Sequence, residues 1–262
     1  MDGFALRVLA SFVIAGAWIG TATMISERYG SRVGGLVGNL PSNIVVSFIF
    51  ITLTQDLSFT AEAARAVPLG MTINNLFMLA FMVGARRGLG AAIGLSLAVW
   101  IGAVLAARAG GLPGWRLATV LFFVSVVVVF LVMERVMKLR THNARSVRYS
   151  PGAVIARMIF AGGVVATSVI VAHSAGPYWA GLFSTLPAVM MSTLVILTRA
   201  QSPAFAGGVA KVLVLSSANI LAFAFVAAVA YPRIGLATGT LVAYGAAVAW
   251  VVALRPVVAR LS

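Results

Sequence analysis

The sequence predicts an all-α integral membrane protein of about nine transmembrane helices, arranged as two inverted-topology four-helix repeats joined by a linking helix. Three observations support this prediction, and the first is polarity: hydrophobic residues make up 61% of the chain and charged residues 9%. A water-soluble domain carries roughly 25% charged residues because it must cover its surface with them. The second observation is an uneven distribution of positive charge, and the third is an internal repeat. Lipid is therefore the expected solvent of most of this chain.

Nine apolar segments are each long enough to be a membrane span, which needs about 20 residues to cross a hydrocarbon core of roughly 30 Å. They cover residues 4–25, 34–55, 66–85, 89–108, 117–137, 157–174, 178–198, 209–230 and 235–254. Backbone groups in lipid must be satisfied within the segment, which favours helices. A membrane barrel would show alternating polarity, and the run VLFFVSVVVVFLV at 120–132 does not alternate.

The basic residues fall mainly on one side of the predicted spans. Five lie on one side, namely Arg7, Arg65, Arg108, Arg116 and Arg233. Fourteen lie on the other, namely Arg28, Arg32, Arg86, Arg87, Arg135, Lys138, Arg140, Arg145, Arg148, Arg157, Arg199, Lys211, Arg255 and Arg260. Cytoplasmic loops carry such an excess. We therefore predict a multi-pass protein of the inner (cytoplasmic) membrane, with the amino terminus outside and the carboxyl terminus cytoplasmic. The net charge of +14 then indicates membrane lipids as partners and no nucleic acid.

An internal repeat appears when the sequence is shifted by 146 residues. This shift places 30–55 on 176–201 without a gap, so that Pro41 matches Pro187 and Arg65 falls opposite Lys211. We divide the chain into a first four-helix repeat (1–110), a linking helix with a basic cytoplasmic connector (111–150) and a second four-helix repeat (151–262). Because one extra crossing separates two even-numbered units, the second copy is predicted to be inverted in the membrane.

Several of these segments resemble the GlpM family of small bacterial inner-membrane proteins. The motifs are GGLVGNLP (34–41) and EAARA (62–66) in the first half. The second half contributes AGLFSTLPAVMMSTLVIL (180–197), Lys211 and LATGTLVAYGAAVAWVVAL (236–254). Members of that family are about half as long as this chain. The resemblance therefore implies a fused, inverted pair, and it implies no substrate or catalytic residue.

Candidate substrate-binding residues gather around the two prolines and on the third and eighth predicted helices. They are Asn39, Pro41, Asn43, Asn74, Asn75, Ser184, Thr185, Pro187 and Asn219. Prolines inside helices release backbone carbonyls, and broken helices line substrate sites in transporters. The alternatives are a structural kink at the prolines and interhelical hydrogen bonds that only join helices. We assign a gating role to Arg65 and Lys211, which begin the third and eighth predicted helices. Snorkelling to lipid headgroups is the alternative for both.

These features indicate a membrane transporter, either a facilitator or an exchanger, for a small neutral or anionic solute. The chain contains no cysteine, and no motif for an enzyme, a cofactor or a metal is present. None of the five acidic residues lies in the middle of a span, which argues against exchange of cations for protons. A non-catalytic assembly factor for an envelope process and a lipid translocase remain alternatives. A homodimer is left open.

The predicted topology is testable because the chain has no native cysteine. We expect Ser146→Cys, in the basic connector, to resist an impermeant thiol reagent added to intact cells, because this connector is predicted to be cytoplasmic. The same variant should react once the cells are permeabilised. Labelling from outside intact cells would contradict the predicted orientation.

Overall fold

A computed structural model describes residues 3–28, 40–139 and 150–259, and all regular structure in these ranges is helical. The helices of the first half are α1 (Gly3–Arg28), α2 (Ser42–Thr54), α3 (Leu57–Ala63), α4 (Val67–Ala85), α5 (Leu89–Ala109) and α6 (Trp115–Leu131). Those of the second half are α7 (Pro151–Ala175), α8 (Pro177–Ser184), α9 (Ala188–Ala200), α10 (Pro203–Ser216), α11 (Ala218–Ile234) and α12 (Leu236–Ala259). A 3₁₀ turn (Ala64–Ala66) links α3 to α4, and a π-helical turn (Val132–Val136) continues α6.

Eight helical stretches in the described ranges are long and apolar enough to cross a membrane, which supports a multi-span helical protein. They are Gly3–Met24, Leu57–Ala85, Leu89–Ala109, Trp115–Val136, Pro151–Ala175, Pro177–Ala200, Pro203–Ile234 and Leu236–Leu254. The predicted second span differs, because only its part from residue 40 is described and α2 has 13 residues. At 1.5 Å per residue, α2 is about 20 Å long. It is too short to cross a hydrocarbon core alone.

The third and eighth predicted spans begin earlier in the structure, and in both cases a capping side chain explains why. They were placed from 66 and 209, whereas the membrane-spanning stretches begin at 57 and 203. Helix α4 itself begins at Val67, one residue from the predicted start. The Asp56 carboxylate accepts a hydrogen bond from the Phe59 backbone N–H at 2.7 Å, and the Ser202 hydroxyl accepts one from that of Phe205 at 3.1 Å. Such caps satisfy donors that a helix start leaves open. The residues that precede the two predicted spans are therefore helical, beginning at 57 and at 203.

The Asp56 carboxylate is exposed and lies before the membrane-spanning stretch that α3 begins. It accepts hydrogen bonds from the Ser58 hydroxyl at 2.5 Å and from the Phe59 backbone N–H at 2.7 Å. These two bonds hold the pKa of Asp56 below its usual value, and the bond from Ser58 has the larger effect. The cap is therefore ionised at neutral pH.

Helix boundaries in the two halves coincide at the spacing of the sequence repeat. α2 and α9 begin 146 residues apart, at Ser42 and Ala188, and α3 and α10 begin 146 residues apart, at Leu57 and Pro203. The capping residues Asp56 and Ser202 have the same separation. These helices of the two halves therefore begin at positions that are equivalent in the frame of the sequence match.

Helices α1 and α7 pack closely and run in opposite directions. A Cβ atom on Gly16 would lie 3.0 Å from the Met158 carbonyl oxygen, and one on Gly162 would lie 2.5 Å from the Phe12 carbonyl oxygen. Moving forward along α1 thus corresponds to moving backward along α7. The contact is also reciprocal, because Phe12 and Met158, like Gly16 and Gly162, are 146 residues apart.

The chain forms two compact units, each of which takes helices from both halves of the sequence. The first comprises Met1–Val67, Ala144–Val189 and Ala218–Arg255, and the second comprises Pro68–Asn143, Met190–Ser217 and Pro256–Ser262. In the first unit, α7 packs against α1, α2 and α8, while α11 packs against α3. In the second unit, α10 packs against α6 and its π-helical turn. These units follow packing and are not the domains predicted from sequence order.

The close approach of α1 and α7 predicts that Gly162→Ala destabilises the protein. The added methyl group would collide with the backbone of Phe12, and overpacking of this kind costs about 1–3 kcal/mol. Gly163→Ala is the matched control, since nothing lies within 4 Å of a Cβ atom there. Thermal unfolding in detergent should show a lower Tm for Gly162→Ala and an unchanged or higher Tm for Gly163→Ala. Equal Tm values would contradict the packing described.

Candidate functional site

Both prolines that were predicted to lie inside helices lie outside them. Pro41 directly precedes α2, and Pro187 directly precedes α9, with residues 185–187 forming a break after α8. The positions fit the chemistry of proline, whose ring and missing N–H are tolerated at the first turn of a helix and disrupt its interior. At Pro187 the span Pro177–Ala200 is therefore broken into α8 and α9, as the broken-helix interpretation expected, and is not a continuous kinked helix. The segment before Pro41 includes Asn39, which lies outside the described residues.

The break at Pro187 is repaired by local hydrogen bonds. The Ser184 hydroxyl donates to the Gly181 carbonyl at 2.7 Å, and the Thr185 hydroxyl donates to the Leu182 carbonyl at 2.7 Å. Pro187 has no backbone N–H to donate to the Phe183 carbonyl four residues earlier. This carbonyl instead accepts a hydrogen bond from the Leu186 backbone N–H at 3.0 Å. These bonds match the structural alternative stated for Ser184 and Thr185.

Asn43 and Ser47 form a polar pair on one face of α2. Both polar atoms of the Asn43 amide are buried and have no hydrogen-bond partner among the described residues. The same holds for the hydroxyl of Ser47, which is fully buried. The two residues are four apart, so their side chains are neighbours on the helix. Only Asn43 was predicted from the sequence. The signal for Ser47 was its position one turn after Asn43.

The amides of α4 and α11 are buried, as the sequence analysis expected. Asn74 and Asn75 lie on α4, Asn219 lies on α11, and none is more than 1% exposed. The Asn75 amide nitrogen donates to the Ser125 hydroxyl of α6 at 2.9 Å, while its amide oxygen is buried without a hydrogen-bond partner in the described ranges. Asn75 therefore joins two helices and keeps one acceptor for another group.

The predicted site residues are distributed over both compact units. Pro41, Asn43, Ser184, Thr185, Pro187, Asn219 and Arg65 belong to the first. Asn74, Asn75 and Lys211 belong to the second. Their common role in binding a solute stays a prediction.

The two gating candidates have different environments. Both were predicted to begin their helices, but each lies eight residues after the helix start, Arg65 in the turn that follows α3 and Lys211 within α10. Arg65 is exposed, whereas Lys211 is 1% exposed. Lys211 therefore does not snorkel toward a lipid headgroup.

Lys211 is held in an ion pair that the sequence analysis missed. Its ammonium donates to a carboxylate oxygen of Glu134 at 2.5 Å and to the Leu139 carbonyl at 3.0 Å. The ammonium also lies 5.9 Å from the centre of the Phe130 ring. A buried ammonium requires such partners because burial removes its hydration. Glu134 is the one acidic residue of the predicted linking helix. This was the sequence feature that could have indicated an ion pair.

The π-helical turn that follows α6 positions both acceptors of Lys211. Glu134 lies within this turn, and Leu139 follows it, with the Leu139 backbone N–H donating to the Met133 carbonyl at 3.0 Å. A π-helical turn shifts the following residues relative to a regular helix, and such turns are frequent at functional sites. The turn thus directs the carboxylate and the carbonyl toward α10.

Arg157 is the second buried basic side chain. It lies in the first third of α7 and is 8% exposed. Charged side chains inside membrane segments are rare and mark interactions within the protein. The sequence analysis placed this residue at the first position of the span 157–174 and did not include it among the site residues.

An open apolar cleft lies between α1 and α2. Its volume is about 300 Å³, and it is lined by Leu6, Arg7, Ala10, Phe50 and Leu53. Arg7 donates to the Leu53 carbonyl at 2.7 Å, close to the end of α2, where helix carbonyls lack partners. This arrangement fixes the start of α1 beside the end of α2.

No family model, no curated protein and no solved structure matches this chain. Within the described residues, no group of three or more histidine or acidic side chains could hold a metal ion. The functional proposal therefore depends on the geometry of the chain itself.

The ion pair predicts that Glu134→Gln destabilises the protein, because it leaves the buried Lys211 ammonium without a countercharge. Breaking a buried pair costs about 3–5 kcal/mol, and the partial exposure of Glu134 reduces our expectation to about 1–3 kcal/mol. Glu62→Gln, at an exposed acidic residue of α3, is the control and should leave the Tm unchanged. Thermal unfolding in detergent provides the measurement.

The double variant Glu134→Gln/Lys211→Met extends this test, since it removes both charges together. It should lose less stability than the sum of the two single variants. Additive losses would show that the two side chains do not stabilise each other.

Proposed function

We propose that this chain is a membrane transporter, a facilitator or exchanger, for a small neutral or anionic solute. We assign contacts with solute to the polar groups of the predicted site residues in each unit, and a gating role to Arg65 and Lys211. The observation that carries the proposal is the presence, within the described residues, of buried polar groups without hydrogen-bond partners on Asn43 and Ser47. Burying such groups costs about 1–3 kcal/mol each, so a ligand or water is the expected partner.

Two inverted four-helix repeats are the architecture that we propose for this transporter. The antiparallel, reciprocal contact of α1 and α7 supports it, because these helices are the first of each copy. If the two repeats were related by a symmetry axis along the membrane normal, α1 and α7 would run in the same direction. Inverted repeats with central substrate sites recur among secondary transporters, and we extend the proposal to a fused pair of GlpM-like units.

The proposed orientation places the protein in the inner membrane with its amino terminus outside. The uneven distribution of basic residues gives its direction. Two contacts fit the assigned sides, because each joins residues placed on the same side of the membrane. Arg7 and the end of α2, which are in contact, were both assigned to the outer side. Glu134 and Lys211, which form the ion pair, were both assigned to the cytoplasmic side.

Two other functions each have one observation in their favour. The local hydrogen bonds of Ser184 and Thr185 favour a structural or assembly role, since these side chains stabilise a helix end. The open cleft with Arg7 at the end of α2 favours contact with a lipid, as a translocase requires. Neither function explains why Asn43 and Ser47 keep buried polar atoms without partners.

Transport in proteoliposomes tests the proposal through Asn74→Ala and Asn219→Ala. If these amides contact solute, uptake should fall at least about tenfold, the effect of one lost hydrogen bond to a charged group, while the Tm stays near that of the unchanged protein. Thr119→Ala is the control, because this exposed hydroxyl bonds only the Trp115 carbonyl of its own helix. A lower Tm with unchanged uptake would make the amides structural.

A further inference from the structure

Three segments of the second unit meet at Gly207 of α10. A Cβ atom on Gly207 would lie 2.9 Å from a methyl carbon of Leu139, which follows the π-helical turn, and 3.0 Å from the terminal methyl carbon of Met82, in the last turn of α4. Met82 is 2% exposed. The glycine therefore leaves room for two apolar side chains, which close the space between these segments.

Lys211 closes the same place with polar contacts. It follows Gly207 by four residues and therefore lies on the same face of α10. Its ammonium donates to the Glu134 carboxylate at 2.5 Å and to the Leu139 carbonyl at 3.0 Å. Leu139 is thus held twice, by its side chain beside Gly207 and by its carbonyl at Lys211.

This contact lies at the ends of two spans, and a polar group lies deeper between the same helices. The membrane-spanning stretches that contain α4 and α6 end within three residues of Met82 and Glu134. Asn75 of α4 bonds Ser125 of α6 and keeps a buried amide oxygen without a hydrogen-bond partner in the described ranges. Seven residues separate Asn75 from Met82 and nine separate Ser125 from Glu134, which is about 10–14 Å along the helices. The contact therefore lies between Asn75 and the nearer end of both spans.

The π-helical turn gives this contact a second possible arrangement. The backbone hydrogen bond from the Met137 N–H to the Val132 carbonyl, 2.9 Å long, joins residues five apart, whereas an α-helix joins residues four apart. Conversion of this turn to a regular α-helix would rotate the residues after it by about 100° around the helix axis. Leu139 would then leave α10. The side chain of Glu134 is 42% exposed, so its carboxylate would be hydrated once the ion pair separates.

The first copy does not repeat the contact. At a shift of 146, Ala61 stands opposite Gly207 and Arg65 opposite Lys211, and Arg65 is exposed. Glu134 belongs to the predicted linking helix, which lies outside both copies. The contact therefore distinguishes the two sides of an inverted pair.

From these positions we propose that five residues form a gate, closed in this structure, between Asn75 and the side predicted to be cytoplasmic. The gate residues are Met82, Glu134, Leu139, Gly207 and Lys211. The gate opens when the π-helical turn converts to a regular α-helix and the ion pair separates. This inference rests on the proposed function, to which it adds the partners and the moving part of the gating residue Lys211. A static structural contact would show the same bonds but would not open.

Cysteine accessibility tests the gate without a known solute, since the chain contains no native cysteine. Val129→Cys reports on the space behind the gate, because Val129 is fully buried on the face of α6 that carries Ser125. Purified full-length protein in detergent is treated with a hydrophilic, membrane-impermeant thiol reagent. We expect Glu134→Gln to raise the labelling rate of Val129→Cys by about tenfold or more, because this rate follows the open fraction and one charged hydrogen bond no longer holds the gate closed.

Ala118→Cys is the matched control, at a fully buried position on the same face of α6. It lies eleven residues from Val129, or about 16 Å toward the other end of the helix. Opening of the gate leaves its labelling rate unchanged, whereas a general loss of packing raises the rate at both positions. Equal rises at both positions, or an unchanged rate for Val129→Cys, would overturn the gate.

The double variant Glu134→Gln/Lys211→Met provides a second background, because it removes both charges and leaves no buried ammonium unpaired. It keeps the test decisive where Glu134→Gln alone is too unstable to purify. The Val129→Cys rate should rise in this background as well, and the Ala118→Cys rate should not.

The outcomes separate this inference from the proposed function. Uptake of solute in proteoliposomes with an unchanged labelling rate at Val129→Cys in both backgrounds would overturn the gate and leave the transporter. Faster labelling at Val129→Cys alone, without uptake of any solute, would overturn the transporter and leave an opening between α6 and α10.

Discussion

A hydrocarbon core offers no hydrogen-bond partner, and this constraint governs most of the polar chemistry in the structure. Hydroxyl groups along the spans donate to carbonyls of their own helices, as Ser168 does to Val164 at 2.8 Å. The break before Pro187 is tolerated because Ser184, Thr185 and the Leu186 backbone satisfy the carbonyls that α8 leaves open. The same constraint requires a carboxylate and a carbonyl around the ammonium of Lys211. Each helix interruption or buried charge therefore comes with specific partners.

Exceptions to this constraint are informative because they are costly. Asn43, Ser47 and Asn75 retain buried polar atoms without partners in the described part of the chain. A packed structural core gains nothing from such atoms, since apolar residues of similar size would avoid the desolvation cost. Two of the three residues lie one turn apart on α2. Structural hydrogen bonds account for Ser184 and Thr185, whereas no such bond is found for Asn43 and Ser47 in the described ranges.

The sequence predicted the helices more accurately than their ends or their contacts. Hydropathy identifies a span because about 20 residues contribute to it together, whereas a helix end depends on single capping residues such as Asp56 and Ser202. Long-range pairs are less accessible still: Glu134 and Lys211 are 77 residues apart, and Glu134 lies in a π-helical turn that no sequence pattern predicted. The candidate list included Asn43 but not Ser47, because the burial of a polar group is a property of packing. Helix starts such as Ser42 and Ala188 lie 146 residues apart, in the same frame as the matching residues of the sequence.

The two halves share backbone architecture but differ in their charged residues, and this difference bears on how an inverted-repeat transporter would work. Alternating access exchanges the conformations of the two repeats, so identical repeats would give inward-open and outward-open states of equal free energy. Here Lys211 is buried in an ion pair, whereas its counterpart Arg65 is exposed. A charge pair between the linking helix and one copy stabilises whichever state keeps it intact. Under the proposed function, the Glu134–Lys211 pair therefore favours the state in which it is formed, while Asn43 and Ser47 provide polar groups that a solute must reach.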